Sequence, residues 1–330
     1  MGEEGPSPAA GPAAIPTAGA AALAGASLEA PAPRAEQRPS AARALLEAMR
    51  PRQWMKNVFV LAGMVFGGRL FHPPSIARAL ACFAVFCAAS SAVYLVNDVA
   101  DRTADMNHPL KRRRAIASGR LRPYPALLAA AGLTALAIAG AGALSRGTLA
   151  VLLVYLLLSA SYSAGLKRVF IVDVMVVAAG FVLRAAAGAA AVFAQISPWL
   201  LCCSFLLALF LSLGKRRHEL ALLGDGAGTH RRALSTYSLP LLDGWLTALS
   251  AATIVCYAIY TQAPRTVAHF GTTSLVYTVP FVVYALFRYQ HLVLREGAGG
   301  DPGSSLLHDR ALMIAIAGWA ATAAFIIYTD

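Results

Sequence analysis

The sequence predicts an all-α polytopic membrane protein, on three observations. Hydrophobic residues make up 58% of the 330 positions and charged residues 13%, against about 25% charged in soluble domains. Long apolar runs recur along the chain, most of them near the ~20 residues that carry a helix across ~30 Å of hydrocarbon. Basic residues gather in alternate connections between those runs, the pattern that marks the cytoplasmic loops of membrane proteins.

Residues 1–40 are mostly Ala, Gly, Pro and Ser with scattered charges, a composition that cannot bury a core and reads as a disordered tail. The run Ala18–Ala24 is short and weakly apolar. Glu3 and Glu4 precede it where a signal peptide carries basic residues, so no signal peptide is expected. Residues 41–330 form the membrane domain. Ala41–Arg50 has helical spacing through Leu45, Leu46 and Met49 and is expected along the interface before Pro51. Nine hydrophobic segments follow, at 57–71, 76–97, 123–144, 148–165, 171–194, 197–214, 240–262, 272–291 and 311–328. Helices and closed barrels are the structures that satisfy their backbone in lipid, and these runs lack the period-2 alternation of barrel strands. Nine transmembrane helices are therefore expected.

The net charge is +12. A soluble domain so basic would suggest a nucleic-acid partner. Here 23 of the 28 Lys and Arg residues fall on one side of the membrane and four on the other, with Arg184 inside a span. The split places the N-terminus in the cytoplasm and the C-terminus across the membrane, and no nucleic-acid partner is expected. The five cysteines lie inside apolar stretches without metal-ligand spacing and read as small core residues.

The connection between the second and third segments carries Asn97, Asp98, Asp101 and Asp105, then His108, Pro109, Lys111 and the run Arg112–Arg114. If the second helix continues past Asn97, positions 97, 101 and 105 stack on one face, with Asp98 on the neighbouring edge. Such hard oxygen ligands suit Mg²⁺, which keeps several waters while joining one or two carboxylates to substrate phosphates. The competing reading pairs these acids with the basic run that follows. A cluster at the membrane surface, in a chain with sixteen acidic residues of which four lie in the tail, favours the metal.

The string NDxxDxxxDxxHPxK followed by IASG resembles the first aspartate-rich motif of the UbiA-type intramembrane prenyltransferase superfamily. The resemblance covers residues from about 50 to 330. It departs at Ala115, where the family usually has Pro. It implies a UbiA-type helical bundle with a cytoplasm-facing central cavity and Mg²⁺ held by Asn97, Asp98, Asp101 and Asp105. General members carry a second aspartate-rich motif between the sixth and seventh helices. This chain has Leu213-Gly-Lys215-Arg216-Arg217-His218-Glu219-Leu220 there instead. That loop either holds anions through charge-assisted hydrogen bonds or is an ordinary positive-inside loop.

Together with Arg50-Pro-Arg-Gln53-Trp54-Met-Lys56-Asn57, this segment resembles the decaprenyl-phosphate phosphoribosyltransferase branch. Tyr162 and Lys167 match the Tyr/Lys motif that contacts diphosphate in the family. Asp173 and Arg184 are three turns apart on one helix, and ionisable groups in a membrane helix are usually functional. The alternative for Arg184 is a structural, satisfied residue. The branch implies transfer of phosphoribosyl from phosphoribosyl pyrophosphate (PRPP) to a polyprenyl (decaprenyl) phosphate, a step towards a lipid-linked pentose (arabinose) precursor. The residues it implicates are Asp101, Asp105 and Lys111 in catalysis. Lys56, Asn57, Lys111, Arg114, Tyr162, Lys167, Arg184, Lys215, Arg216 and Glu219 would bind substrate. The partners are PRPP, the polyprenyl phosphate and the bilayer of the cell (inner) membrane, with a homo-oligomer compatible.

An acceptor phosphate is already anionic at neutral pH, so no strong general base is needed, and His108 is read as loop structure or a phosphate hydrogen bond. The alternative function is prenyl transfer to an aromatic or other acceptor. A transporter is disfavoured because the charges sit at one face and not near the bilayer midplane. Asp243 is read as a cap or a partner for loop cations, and Asp301 and Asp309 as part of a solvated connector.

Overall fold

The computed structural model describes residues 1–2, 40–109, 111–195, 197–223, 236–295 and 308–329. The chain divides into Met1–Arg38 and a compact unit, Pro39–Asp330, which holds every element below. Most of the expected tail and Asp301 lie outside the described residues.

The compact unit is helical throughout its described residues. In order the helices are α1 (Ala41–Met49), α2 (Ala62–Val65), α3 (Pro73–Ala100), α4 (Arg102–Met106), α5 (Pro123–Leu144), α6 (Arg146–Ala164) and α7 (Val172–Val192). They are followed by α8 (Pro198–Leu223), α9 (Leu239–Gln262), α10 (Pro264–Phe270), α11 (Val279–Arg295) and α12 (Arg310–Thr329). Prolines occupy the first turns of α3, α5, α9 and α10, where a missing N–H costs nothing. Ser145 and Ser238 cap α6 and α9 by accepting from Thr148 and Leu241.

Seven described helices are long and apolar enough to cross a membrane: α3, α5, α6, α7, α8, α9 and α12. An eighth span exists if α10 and Ser274–Arg295, bent by 100°, count as one. Segment 272–291 is thus one limb of a bent pair. Segment 57–71 departs further from the expected uniform span, being a 3-10 helix over Pro51–Leu61 followed by the single turn of α2. Its physical reason is close packing on α7. A Cβ on Gly188 would fall on the Val60 carbonyl, and one on Gly63 would fall on the Ala189 backbone. Two backbones can approach this closely only where side chains are missing.

This crossing yields a prediction. Gly188→Ala must displace main chain, not a flexible side chain, so it should cost about 1–3 kcal/mol or more and lower the unfolding temperature in detergent by several degrees. An unchanged temperature would contradict the crossing.

Half or more of the most apolar 18-residue stretch of α3 and of α7 is buried within the protein, whereas α5 and α6 bury little of theirs and turn leucines such as Leu136 and Leu157 outward. Ala126, Ala130, Ala137 and Ala141 line the buried stripe of α5 that packs on α3, small residues that let the two helices approach closely. At one end of the bundle Arg78 donates to the carbonyls of Ala191 (2.6 Å) and Leu144. A cation there satisfies the open C-termini of α7 and α5. The candidate site occupies the other end.

Candidate active site

The acidic motif sits where α3 stops. Asp101 leaves helical geometry (φ −90°, ψ 6°), yet its N–H still donates to Asn97 O at 2.8 Å and the Asp105 N–H to Asp101 O at 2.8 Å. Fourfold spacing therefore survives the break into α4, but the side chains of Asn97, Asp101 and Asp105 take different partners. Asp98 accepts from Arg50 and from Arg114 Nη1 at 3.2 Å, and Asp105 accepts from the same Arg114 atom at 2.6 Å. Both carboxylates are nearly sealed, with side-chain exposures of 4% and 5%. The pairing of acids with the following basic run holds for these two.

Asp101 differs. Its carboxylate is 40% exposed and takes both hydrogen bonds from Lys167 Nζ, at 2.9 and 3.1 Å. Asn97 Oδ1 accepts from the Ser163 hydroxyl. Among the described residues no three His, Cys, Asp or Glu side chains gather as a metal site, so the expected four-ligand set is not assembled as such. Asn97 and Asp101 still offer two hard oxygens from consecutive turns. That donor set fits Mg²⁺, which needs only one or two carboxylates when phosphates and waters complete its shell.

The remaining residues of this rim fall as follows. Lys111 is half-buried on a 3-10 turn, its N–H donated to His108 Nδ1 at 3.4 Å, which makes His108 part of the loop's structure. Tyr162 is half-buried on the last turn of α6, beside Ser163. Lys56 is half-buried on the 3-10 segment, next to Asn57. Arg50 emerges as a positioning residue. Left-handed at the end of α1 (φ 56°), it stacks its guanidinium over Tyr94 and reaches Asp98. Arg120 ties α1 to the loop through a double contact with Glu47 at 2.6 and 2.7 Å, and the Arg120 hydrogen bonds hold the Glu47 carboxyl below its ordinary value.

Asn57 and Arg184 meet below the rim. Asn57, fully buried, donates to Ser90 Oγ at 3.2 Å and accepts from Arg184 Nε at 2.8 Å. Arg184 also donates to Gly180 O (2.9 Å) and Tyr155 OH (3.0 Å) and lies over the Tyr155 and Phe181 rings. Ser90 precedes Asn97 by two turns, so the pair lies about 10 Å down α3. Arg184 is thus a satisfied residue with a buried positive charge and no carboxylate partner among the described residues.

Asp173 is not brought to Arg184 despite sharing its helix. It is fully buried, accepts from Tyr237 OH at 2.9 Å and faces Arg216 Nε at 3.3 Å. Arg216 also pairs with Glu219. The segment 213–220, expected as a loop, continues α8, and Arg217 there binds Asp243 at 2.6 Å, making Asp243 a partner for its cations. Arg216, 6% exposed, is therefore a buried structural ion pair and not an open phosphate ligand. Half-buried Lys215 makes no ion pair among the described residues. Burial, then the Asp173 charge, push the Tyr237 phenol up to about 12, so it remains a donor throughout the ordinary pH range. The same oxygen accepts from the N–H of Ile171 at 3.1 Å. Ile171 has φ 65°, a costly conformation for a β-branched residue, and Tyr237 holds it where α7 begins. No sequence pattern points to Tyr237. Asp309 caps α12 by accepting from Leu312 N at 2.7 Å and pairs with Arg288. The Arg288 hydrogen bonds lower its carboxyl from the ordinary value.

A UbiA prenyltransferase family model matches residues 57–304. A decaprenyl-phosphate phosphoribosyltransferase of Mycobacterium tuberculosis is 35% identical over 282 residues, which cover 84% of this chain and 92% of that one. One of Corynebacterium glutamicum is 34% identical over 281 residues, covering 83% and 84%. A solved UbiA homolog from Archaeoglobus fulgidus, bound to GPP and Mg²⁺, superposes with a TM-score of 0.68 at 18% identity, covering 86% of this chain and 99% of that chain. That likeness concerns the fold.

Proposed function

The chain belongs to the UbiA prenyltransferase family, and within it we propose that it transfers 5-phosphoribosyl from PRPP to a polyprenyl (decaprenyl) phosphate, releasing pyrophosphate. The observation that carries this reading is the near full-length similarity to decaprenyl-phosphate phosphoribosyltransferases. The replacement of a second acidic motif by Lys215-Arg216-Arg217 supports it.

In the reaction a phosphate oxygen of the lipid attacks the anomeric carbon as the bond to pyrophosphate breaks. Charge builds on the leaving group, and the sugar passes through an oxocarbenium-like state. Mg²⁺, when bound, would neutralise the pyrophosphate as a Lewis acid. Asn97 and Asp101 would hold it. Asp98 and Asp105, fixed by Arg50 and Arg114, set the geometry of the helix end that presents them. Lys167 occupies the Asp101 carboxylate and would turn its ammonium to pyrophosphate as substrate arrives. Lys111 from its 3-10 turn, Tyr162 from the last turn of α6 and Lys215 from α8 would line the phosphates. Lys56 and Arg184, the latter held by Asn57, would supply positive potential beneath them. Arg216 and Glu219 would act by fixing the stretch of α8 that carries Lys215. The attacking phosphate is an anion, so no proton needs removing.

We further read the segment at 57–71 and the bent pair as completing nine membrane passes. The site then faces the cytoplasm through a central cavity, with the N-terminus on the same side. Cysteines test this in a Cys202→Ser background. Arg112→Cys should react with an impermeant maleimide only from the cytoplasmic side, and Thr273→Cys only from the other. Same-side labelling would contradict the orientation. The activity itself is tested by following label from ribose-labelled PRPP into a polyprenyl phosphate fraction.

A further inference from the structure

The end of the bundle opposite the acidic motif contains a cavity of about 430 Å³. The bent α10 closes it from one side, and the start of α8 and the end of α2 from the other. Its wall includes Ser197, Arg265, Thr266 and His269, and then Phe66 and Tyr260. Thr266 is 3% exposed, and neither its hydroxyl nor the buried Ser197 hydroxyl has a hydrogen-bond partner among the described residues. Neither oxygen is open to a water-sized molecule in this conformation, and buried hydroxyls left unsatisfied are costly, so a polar occupant that each meets after a side-chain rotation would relieve both.

The charges specify its sign. Arg265 makes no ion pair among the described residues. The described carboxylates that do pair, from Glu47 to Asp309, lie with the cytoplasmic-side elements and none lines this cavity. An anion meeting Arg265 here has no competitor in the cavity wall. The aromatic side of the cavity, Phe66 and Tyr260, suits a hydrocarbon chain.

We propose that this cavity is a binding site for an anionic, phosphate-headed lipid of the leaflet opposite the catalytic rim. The phosphate meets Arg265 and receives hydrogen bonds from the Thr266 and Ser197 hydroxyls once these rotate towards it, while an acyl or prenyl chain lies along Phe66 and Tyr260. The site uses none of the residues assigned to phosphoribosyl transfer, and it stands or falls independently of that reading.

Native mass spectrometry of the whole chain released from detergent tests it, with phosphatidylglycerol, phosphatidylcholine, a polyprenyl phosphate and inorganic phosphate as probes. Phosphatidylglycerol should bind, and Arg265→Gln and Thr266→Val should each raise its Kd at least about tenfold, as loss of a charge-assisted or buried hydrogen bond does. Thr266→Val keeps the side-chain shape, so it decides the matter if the arginine variant fails to fold. Displacement of phosphatidylglycerol by the polyprenyl phosphate, in an Arg265-dependent way, would identify a prenyl lipid as the occupant and support the proposal. Unchanged phosphatidylglycerol binding in both variants would overturn it. So would inorganic phosphate or phosphatidylcholine binding as tightly as phosphatidylglycerol.

Discussion

Replacing Asp101 with alanine is expected to reduce turnover at least about a hundredfold while leaving the unfolding temperature within a few degrees of the parent. The two halves of this expectation come from one geometry. The carboxylate is 40% exposed and its partner is the flexible Lys167 ammonium, so the pair contributes only about 0–1 kcal/mol to folding. The same exposure leaves it open to a cation and a pyrophosphate, and losing a metal ligand removes several kcal/mol of transition-state stabilisation. Asp98→Ala should behave in the opposite sense. Its carboxylate is 4% exposed between Arg50 and Arg114, and its removal leaves two guanidinium groups without their shared partner, so stability falls along with activity. Thermal unfolding and turnover measured on both variants check the contrast. Asp101→Ala with most activity retained in Mg²⁺ would remove that residue from the proposed site.

Lys215→Ala and Arg216→Ala are expected to fail in different ways although the residues are neighbours. Arg216→Ala removes the Arg216 guanidinium from the fully buried Asp173 carboxylate. Breaking a buried ion pair from one side costs about 3–5 kcal/mol, so this variant should express poorly or unfold at a markedly lower temperature. Asp173→Asn in the same chain should recover part of that loss. Lys215→Ala opens no such pair. It should keep the fold and raise the KM for PRPP roughly ten- to a hundredfold, the effect of losing a charge-assisted contact to phosphate. Equal thermal stability of the two variants would contradict the assignment of Arg216 to the interior.

Much of this was legible in the sequence, for identifiable reasons. The spans α3, α5, α6, α7, α8, α9 and α12 follow from apolar length, because lipid imposes one backbone solution on each run. The 3-10 winding over Pro51–Leu61 was not legible in segment 57–71, and neither was its close approach to Gly188 on another helix, which depends on residues distant in sequence. The acidic motif could be located but not sorted. Helical spacing put Asn97, Asp101 and Asp105 together, whereas the choice of which acid stays open depends on Arg50 and Lys167, distant in sequence. Asp173 and Arg184 show the limit of facial reasoning. They share a helix, yet each is satisfied by other helices, Asp173 by Arg216 and Tyr237, Arg184 by Asn57 and Tyr155.

The identity of the donor is the central claim, and one competition assay tests it. Purified protein in Mg²⁺ is given ribose-labelled PRPP and a labelled prenyl diphosphate together, with a polyprenyl phosphate and an aromatic acceptor both present. The account predicts that ribose label enters the lipid fraction with release of pyrophosphate, and that the prenyl diphosphate is left unconsumed. Consumption of the prenyl diphosphate with transfer to the aromatic acceptor, and none of PRPP, would contradict it and make the protein a prenyltransferase acting on that acceptor.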